Sequence, residues 1–349
     1  MLSDLTRDRY EAFAKVMRRK SGSGRWLILT HDNPDPDSIA SAAGLAKILR
    51  RSFRRQVRIA YGGIIGRAEN QEMVKVLGVR LSHIRHLDVK KYKYFALVDT
   101  QPGTGNNQLA GVVPDLVFDH HPLRAATKEA AFYDVRTEYG ASATMIAEYI
   151  AASGWDLTKK EATAFVYAVR SETQDFGREF SALDKALFDE LVSQADLRAL
   201  ARIQSPRLPL SYYQTLHEAL ERLQSVDTLV ISRLGEVKNP DIVPEIADLM
   251  LRLDGKTWSL CSGIHDNRVY VSLRTTNPRA DAGRLMRRLL SRRGKGGGHG
   301  MMAGGWIEWQ GTRSPTAEAM QTYLAQKLAK LLKKNPERIT SIEMKSALV

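Results

Sequence analysis

Apolar positions in the first half of the chain come in short runs that end abruptly on polar groups, and these runs alternate with stretches of helical period. Trp26 to Thr30 reads as a strand, and Ser38 to Arg50 as a helix with small residues on one face (Ala40, Ala43, Gly44). Val57 to Tyr61 is a short strand signal, and "RAENQEMVKVLG" a helix stopped by Gly78. "YFALVDT" (94–100) and "PDLVFDHH" (114–121) are apolar strands that run into acidic or imidazole side chains. "GASATMIAEYIAASG" and "TKKEATAFVYAVRSE" have helical period. Strands and helices in alternation predict an α/β domain, a parallel sheet with helices on both faces. Ligands of such sheets sit at the carboxyl ends of the strands.

From Ser181 to Gln224 the pattern is helical, and the prolines of "QSPRLPLS" mark a connector. A second, smaller α/β domain follows. "DTLVISRL", "TWSLCSGI", "RVYVSLRT" and "WIEWQ" are strands, with "HDN" as a hairpin turn; "PEIADLMLRL" and "ADAGRLMRRLL" are helices, and "GKGGGHGMMAGG" reads as a glycine-rich loop. The basic amphipathic stretch from Tyr323 packs as a helix on its own domain, ahead of a ragged end. The expected divisions are 1–185, a helical connector at 186–224, a second domain at 225–335 and a tail at 336–349.

Composition narrows the class. The chain has 349 residues, enough for two domains at roughly 100–200 residues each. Lys and Arg number 52 against 39 Asp and Glu, which suits an anionic partner. Cys261 is the sole cysteine and lies in an apolar run, so disulfides and cysteine-cluster metal sites are excluded. No apolar run approaches the ~20 residues that span a bilayer. The N-terminus lacks a signal-peptide apolar region, so a cytoplasmic protein with no membrane partner is expected.

The segment "HDNPDPD" places His31, Asp32, Asp35 and Asp37 within seven positions, interrupted by Pro34 and Pro36. Asp, Asn and Pro are turn residues, and a turn alone accounts for part of this. Carboxylates packed so closely repel one another unless a cation sits among them. Acidic groups recur at Asp99 and at Asp119, beside His120 and His121. Three strand ends of one sheet then converge on one cleft. Oxygen ligands mixed with imidazole suit Mn²⁺, Mg²⁺, Fe²⁺ or Zn²⁺. The ligands are too many for one ion, and two ions bridged by Asp99 use them all. Ions about 3.5–4 Å apart are a known device for phosphate-ester hydrolysis.

At these residues the chain resembles the DHH phosphoesterase family, named for the triplet present here as Asp119-His120-His121. "HDNPDPDSIAS" is similar to that family's first motif, "LVDT" to the second, "FDHHP" to the third and "VRSETQDF" (169–176) to the fourth. "VSLRT" (271–275) and "GGGHGMMAGG" (296–305) are similar to the DHH-associated C-terminal domain. The resemblance implies two divalent ions, Mn²⁺ foremost. His31 and Asp35 would bind one, Asp37 and His120 the other, with Asp99 bridging and a water between the ions attacking phosphorus. Asp119 would orient a ligand and His121 would face the scissile phosphate, so Asp99, Asp119 and His121 form the implied catalytic group. The fourth motif normally supplies an Asp where this chain has Glu172; Asp175 is the alternative ligand.

The resemblance also implies that the C-terminal domain binds nucleotide across the cleft from the metals. Gly297, Gly298 and Gly300 offer backbone N–H groups as an anion nest, His299 a side-chain donor and Arg274 a bidentate one. Lys295, Arg292 and Arg293 lie close by in the sequence; each reads first as a solvated helix end, with a widening of the positive field as the alternative. Four activities are consistent with this. The first is hydrolysis of short RNA or DNA oligonucleotides (nano-RNA) or 3′-phosphoadenosine phosphate to nucleoside monophosphates. The second is a phosphodiesterase for cyclic dinucleotides or for linear pApA and pGpG. A single-strand exonuclease would bring further strand-binding domains, and a nucleotide-sensing module would have lost its ligands. The first is the reading adopted, with nucleotides or oligonucleotides as partners and a homodimer left open.

Overall fold

The computed structural model describes residues 3–20, 22, 24–109, 111–309 and 316–343; the side chains of Arg292 and His299 lie outside the described residues. Two units separate between Pro206 and Arg207.

In the first unit Trp26 and Ile28 point into one apolar layer, and Leu27 and Leu29 into another, so the first strand is buried on both faces. This is β1 (Trp26–Leu29), and it is joined by β2 (Val57–Tyr61), β3 (Leu81–His83), β4 (Tyr94–Val98), β5 (Leu116–Asp119) and β6 (Phe132–Val135). The sheet has the order β3-β2-β1-β4-β5-β6, with every pairing parallel. Its helices are α1 (Asp4–Arg19), α2 (Pro36–Arg51), α3 (Ala68–Leu77), α4 (Ser142–Ala152), α5 (Lys159–Glu172), α6 (Ala182–Val192) and α7 (Leu197–Gln204). All seven contribute to the layer over Trp26 and Ile28.

The expectation of helices on both faces is corrected. Strand order reverses between β1 and β4, and right-handed crossovers then carry the later connections over the opposite face. Among the described residues those connections carry no α-helix. Single 3₁₀ turns at Ile84–His86 and Val89–Lys91 cover Leu27, Leu29 and Leu97 instead, together with Leu109 and Tyr133. Two strands exceed the sequence reading. β3 has three residues, and β6 hides its strand character behind Asp134, which pairs with the buried Arg136.

The second unit has α8 (Leu210–Glu221), β7 (Gln224–Val226), β8 (Leu229–Glu236), α9 (Ile242–Met250), β9 (Trp258–His265), β10 (Arg268–Thr275), α10 (Ala282–Leu290), β11 (Gly294–His299), β12 (Met302–Glu308), α11 (Ala317–Leu331) and β13 (Thr340–Ser341). The sheet order is β11-β12-β10-β9-β8-β7-β13, antiparallel except for β8 with β9. Helices α10 and α11 pack on one face, α8 and α9 on the other. Asp266 and Asn267 both take positive φ in the β9–β10 hairpin, as a tight two-residue turn requires. Cys261 is fully buried on β9, and burial pushes its thiol pKa up. The stretch 186–224 does not stand apart. Leu187, Leu191, Leu200 and Ile203 join the first core, and Ala219 joins the second. In the tail, β13 pairs with β7 and Ile342 rests on the second core, while 344–349 lie outside the described residues.

The glycine-rich segment is a hairpin, not a loop. β11 pairs with β12 from Gly294–Ile307 to His299–Met302. The glycines let α10 lie directly on this hairpin. A Cβ at Gly296 would meet Leu290 Cδ1 at 2.6 Å and Met286 Cγ at 2.9 Å, and one at Gly283 would collide with the Gly298 carbonyl. In an exposed helix Gly→Ala stabilises by about 1 kcal/mol. Gly283→Ala should do the opposite and cost roughly 1–3 kcal/mol, because backbone cannot yield as a side-chain tip can. Thermal unfolding of the variant checks this; a raised Tm would show that the α10–hairpin contact is loose.

Candidate metal centre

Asp35 caps α2. Its Oδ1 accepts the Ser38 N–H at 2.9 Å, with Pro36 at the first helical position. The cap places Asp37 in the first turn of α2, where it is buried. Both Asp37 oxygens accept N–H groups at the start of α4, from Ala143 at 2.7 Å and Ser142 at 2.8 Å. Helix N-termini favour negative charge, so α4 holds this carboxylate in place. Asp99 follows β4 with φ +58°, a left-handed conformation that Asp tolerates better than most residues. Its Oδ1 accepts from Ser142 Oγ at 3.0 Å.

These strand ends meet. His31 Nε2 is 3.4 Å from Asp35 Oδ2 and 3.6 Å from Asp99 Oδ2. His120 Nε2 is 3.6 Å from Asp99 Oδ1 and 3.9 Å from Asp37 Oδ2. Two donor groups result, His31-Asp35-Asp99 and Asp99-His120-His121, each with ligand atoms within 4.8 Å of one another. Asp99 is common to both. His120 Nδ1 faces the Tyr139 carbonyl at 3.2 Å. With Nδ1–H donating there, Nε2 presents its lone pair to the cluster, the arrangement a metal-ligating imidazole needs.

Electrostatics agree with this donor set. Burial, then the charges of neighbouring carboxylates, pushes Asp37 and Asp99 well above the usual carboxylate range. Glu172 is raised to about 7 by burial and then by Asp35. Burial would also raise Asp35, but the charge and hydrogen bond of His31 hold it below its ordinary value. Burial lowers His31 and His121, and carboxylates more than reverse it: Asp35 for His31, and Asp119, through a 2.9 Å contact to Nδ1, for His121, which reaches about 9. Carboxylates this crowded hold protons or cations. Oxygen and imidazole donors in two sets sharing one aspartate fit two divalent ions.

The remaining candidates are placed as follows. Glu172 is the last residue of α5 and interacts electrostatically with Asp35, His31 and His121. Asp175 is exposed and pairs with Arg170. Asp119 is buried, receives His121 and accepts from Gln101 Nε2 at 2.6 Å. Asp32 instead accepts from Gln108 Nε2 and closes the loop. The sequence reading missed Gln101 and Ser142. The visible signal for Gln101 was a glutamine two positions past Asp99, directly before a proline.

In the second unit Arg274 is buried on β10. Its Nε donates to Asp248 at 2.7 Å and its Nη1 to the carbonyls of Leu273 and Ala303. Gly297 and Gly298 belong to the edge strand β11, and Gly300 takes φ +46° in the turn beyond. The expected nest residues Gly297, Gly298 and Gly300 thus lie on a hairpin and its turn, where successive N–H groups of the extended strand point to opposite sides. The His299 side chain lies outside the described residues.

The raised groups give a pH dependence with a definite sign. A group whose folded pKa is raised stabilises below its unfolded pKa and loses that contribution as pH rises through the folded value. Asp37, Asp99, Glu172, His31 and His121 all act this way. The metal-free protein should therefore lose thermal stability between about pH 5 and 9, and Mn²⁺, which competes with these protons, should raise Tm more at pH 8 than at pH 5. Glu172→Gln should shrink the Mn²⁺-induced gain and Asp175→Asn should keep it. Equal gains at both pH values would count against the site, and the reverse ranking would move the ligand to Asp175.

Comparison with known proteins follows the same division. The DHH family N-terminal domain matches residues 25–169, and the DHHA1 domain matches residues 227–333. An uncharacterized protein of Methanocaldococcus jannaschii is 34% identical over 276 residues, 78% of this chain and 56% of that protein, so the chain spans just over half the length of this curated relative. The crystal structure of an exopolyphosphatase-related protein from Bacteroides fragilis superposes with a TM-score of 0.73 at 17% identity, covering 94% of this chain and 98% of that one, a likeness of fold. RecJ in complex with Mn²⁺ from Thermus thermophilus gives 0.46 at 14% identity, covering 93% of this chain and 55% of that one, too loose to place any residue. Among the described residues no helix is long and apolar enough to cross a membrane. With both domains matched in the order its motifs require, the chain belongs to the DHH family of phosphoesterases, with a DHHA1 domain following the DHH domain.

Proposed function

We propose that this protein is a metal-dependent phosphoester hydrolase that cuts short oligonucleotides, or 3′-phosphoadenosine phosphate, to nucleoside monophosphates. The observation that supports this best is the position of Asp99, whose two oxygens lie 3.6 Å from His31 Nε2 and 3.6 Å from His120 Nε2. His31, Asp35 and Asp99 would hold one ion, and Asp99, Asp37 and His120 the other, with Glu172 completing the site. Bound divalent ions would supply Lewis acidity toward the phosphate and a nucleophile at neutral pH. The chain's own groups do the rest. Asp119, braced by Gln101, accepts His121 Nδ1–H, a contact that favours the charged form of that imidazole. A positive imidazolium beside the ligands can hold a phosphate oxygen or protonate a leaving oxygen.

The test is a product time course with Mn²⁺ on pApA, a 24-mer, 3′-phosphoadenosine phosphate and cyclic di-AMP. Fastest turnover of the dinucleotide or of 3′-phosphoadenosine phosphate supports the reading. Preference for cyclic di-AMP would make the protein a cyclic-dinucleotide phosphodiesterase, and preference for the 24-mer an exonuclease. Asp99→Asn should lower turnover by more than about a hundredfold and reduce bound metal, since losing even an outer partner of a ligand costs about 10–100-fold. A variant that keeps both ions and its rate would falsify the shared-ligand reading.

Arg274 is assigned to nucleotide binding in the DHHA1 domain. Asp248 and two carbonyls fix its guanidinium, and Nη2 makes no hydrogen bond among the described residues. A donor pre-oriented in this way loses little entropy on meeting an anion. Arg274→Ala should raise KM for the dinucleotide about ten- to a hundredfold with kcat nearly constant, because the contact serves ground and transition states alike. A fall in kcat with KM unchanged would instead place Arg274 in the reaction itself.

A further inference from the structure

The first unit carries a second concavity that the metal centre does not use. It has a volume of about 770 Å³ and lies along the ends of β2 and β3. Ligand pockets commonly run to roughly 300–1,000 Å³. Tyr61 closes β2 and His83 closes β3, and both line it. The order β3-β2-β1 puts them one and two strands from β1, at about 4.8 Å per strand, on the edge where His31 stands.

The pocket wall is tied to the metal loop. The Ile64 N–H donates to Asn33 Oδ1 at 3.0 Å, and Asn33 lies between His31 and Asp35. His83 Nδ1 accepts the Arg85 N–H at 3.1 Å, so Nε2 carries the proton and donates to the Gly63 carbonyl at 2.9 Å. These bonds fix the ring. Tyr61 meets it edge-on at 5.3 Å, and His86 follows at 5.7 Å. Ile64, Ile65 and Leu81 supply apolar surface.

The rim is cationic. Arg58 and Arg85 line the pocket, are exposed, and form no ion pair among the described residues. Arg85 Nε donates to His86 Nε2 at 3.1 Å, which orients the guanidinium and leaves its terminal nitrogens for a ligand. Aromatic and apolar surface beside two arginines is the chemistry that takes a nucleobase and its phosphate together.

We propose that this pocket is the subsite for the nucleotide adjoining the one cut, so that the preferred substrate is an oligonucleotide rather than 3′-phosphoadenosine phosphate, which has no second nucleotide to place there. The inference rests on the phosphoesterase reading above.

The experiment compares the full chain with Arg58→Ala/Arg85→Ala, Tyr61→Ala and Tyr61→Phe, in Mn²⁺. Two substrates are used, the trimer pApApA and the small ester bis-p-nitrophenyl phosphate. The double variant should lower kcat/KM for the trimer about tenfold relative to that for the small ester, through KM, and Tyr61→Ala should follow. Tyr61→Phe keeps the ring and should restore the trimer. An unchanged trimer-to-ester ratio in the double variant overturns the subsite, as does a Tyr61→Phe variant no better than Tyr61→Ala. AMP that alters small-ester turnover in the parent chain but not in the double variant would make the pocket regulatory, which also overturns it. Wild-type protein that hydrolyses neither substrate refutes the phosphoesterase reading. Fluorescence anisotropy of 5′-labelled trimer then decides the pocket separately: about tenfold weaker binding by the double variant supports it, and equal binding overturns it.

Discussion

Carboxylates that repel one another are brought together at the carboxyl edge of the parallel sheet, and the arrangement of the first unit follows from holding them there. Two unit charges about 4 Å apart interact by roughly 4 kcal/mol at the effective dielectric of a protein surface. Asp37 and Asp99 both lie within 4 Å of His120 Nε2. A hydrogen bond to a charged group returns only about 1.5–3 kcal/mol. The N–H groups of Ser142 and Ala143 therefore orient Asp37 without balancing its neighbours. The balance has to come from cations or protons, and the raised pKa values of Asp37 and Asp99 record that need.

Topology decides where this can happen. In the order β3-β2-β1-β4-β5-β6 the chain reverses direction between β1 and β4. Loops leaving the two strands diverge there and open a crevice at their carboxyl ends. His31 follows β1 and Asp99 follows β4, so these two candidate ligands, 3.6 Å apart, flank that crevice. Asp119 and His120 arrive from the next strand along. Helices α2 and α4 begin at the same edge, and Asp35 and Asp37 use the N–H groups of their first turns. One feature of chain order thus supplies the cleft, the candidate ligands and the dipoles that hold them.

Much of this was legible in the sequence because the signal is coarse. An apolar run that breaks into Asp or His is visible at β1, β4 and β5 without knowing how the strands pair. Helix placement over one face was not legible, because it depends on the β1–β4 reversal, and no local pattern encodes strand order. β6 was hidden by the Asp134–Arg136 pair, which puts charge where a buried strand should be apolar. The run "GKGGGHG" misled for a different reason. Consecutive glycines have the same composition whether they serve a loop or a close contact, and only the approach of α10 to β11 distinguishes the two. Gln101 was missed because a single polar residue after a strand is ordinary until Asp119 is found 2.6 Å away.

Two buried arginines show how donor accounting separates structure from function. Arg136 gives Nε and Nη2 to Asp134, and Nη1 to Glu148, Tyr139 and Thr6. Every nitrogen is used inside the first unit, tying β6, α4 and α1 together. Arg274 is also buried and also has a carboxylate partner, yet among the described residues its bonds stop at Nε and Nη1. Guanidinium desolvation is costly unless all its donors are used. A fold that needed Arg274 only for cohesion would gain by completing the set, as it does at Arg136. A side chain held rigid on one edge with a donor left over is what the proposed nucleotide-binding role of Arg274 requires, and that is the difference a sequence cannot display, since both positions read simply as Arg in or beside a strand.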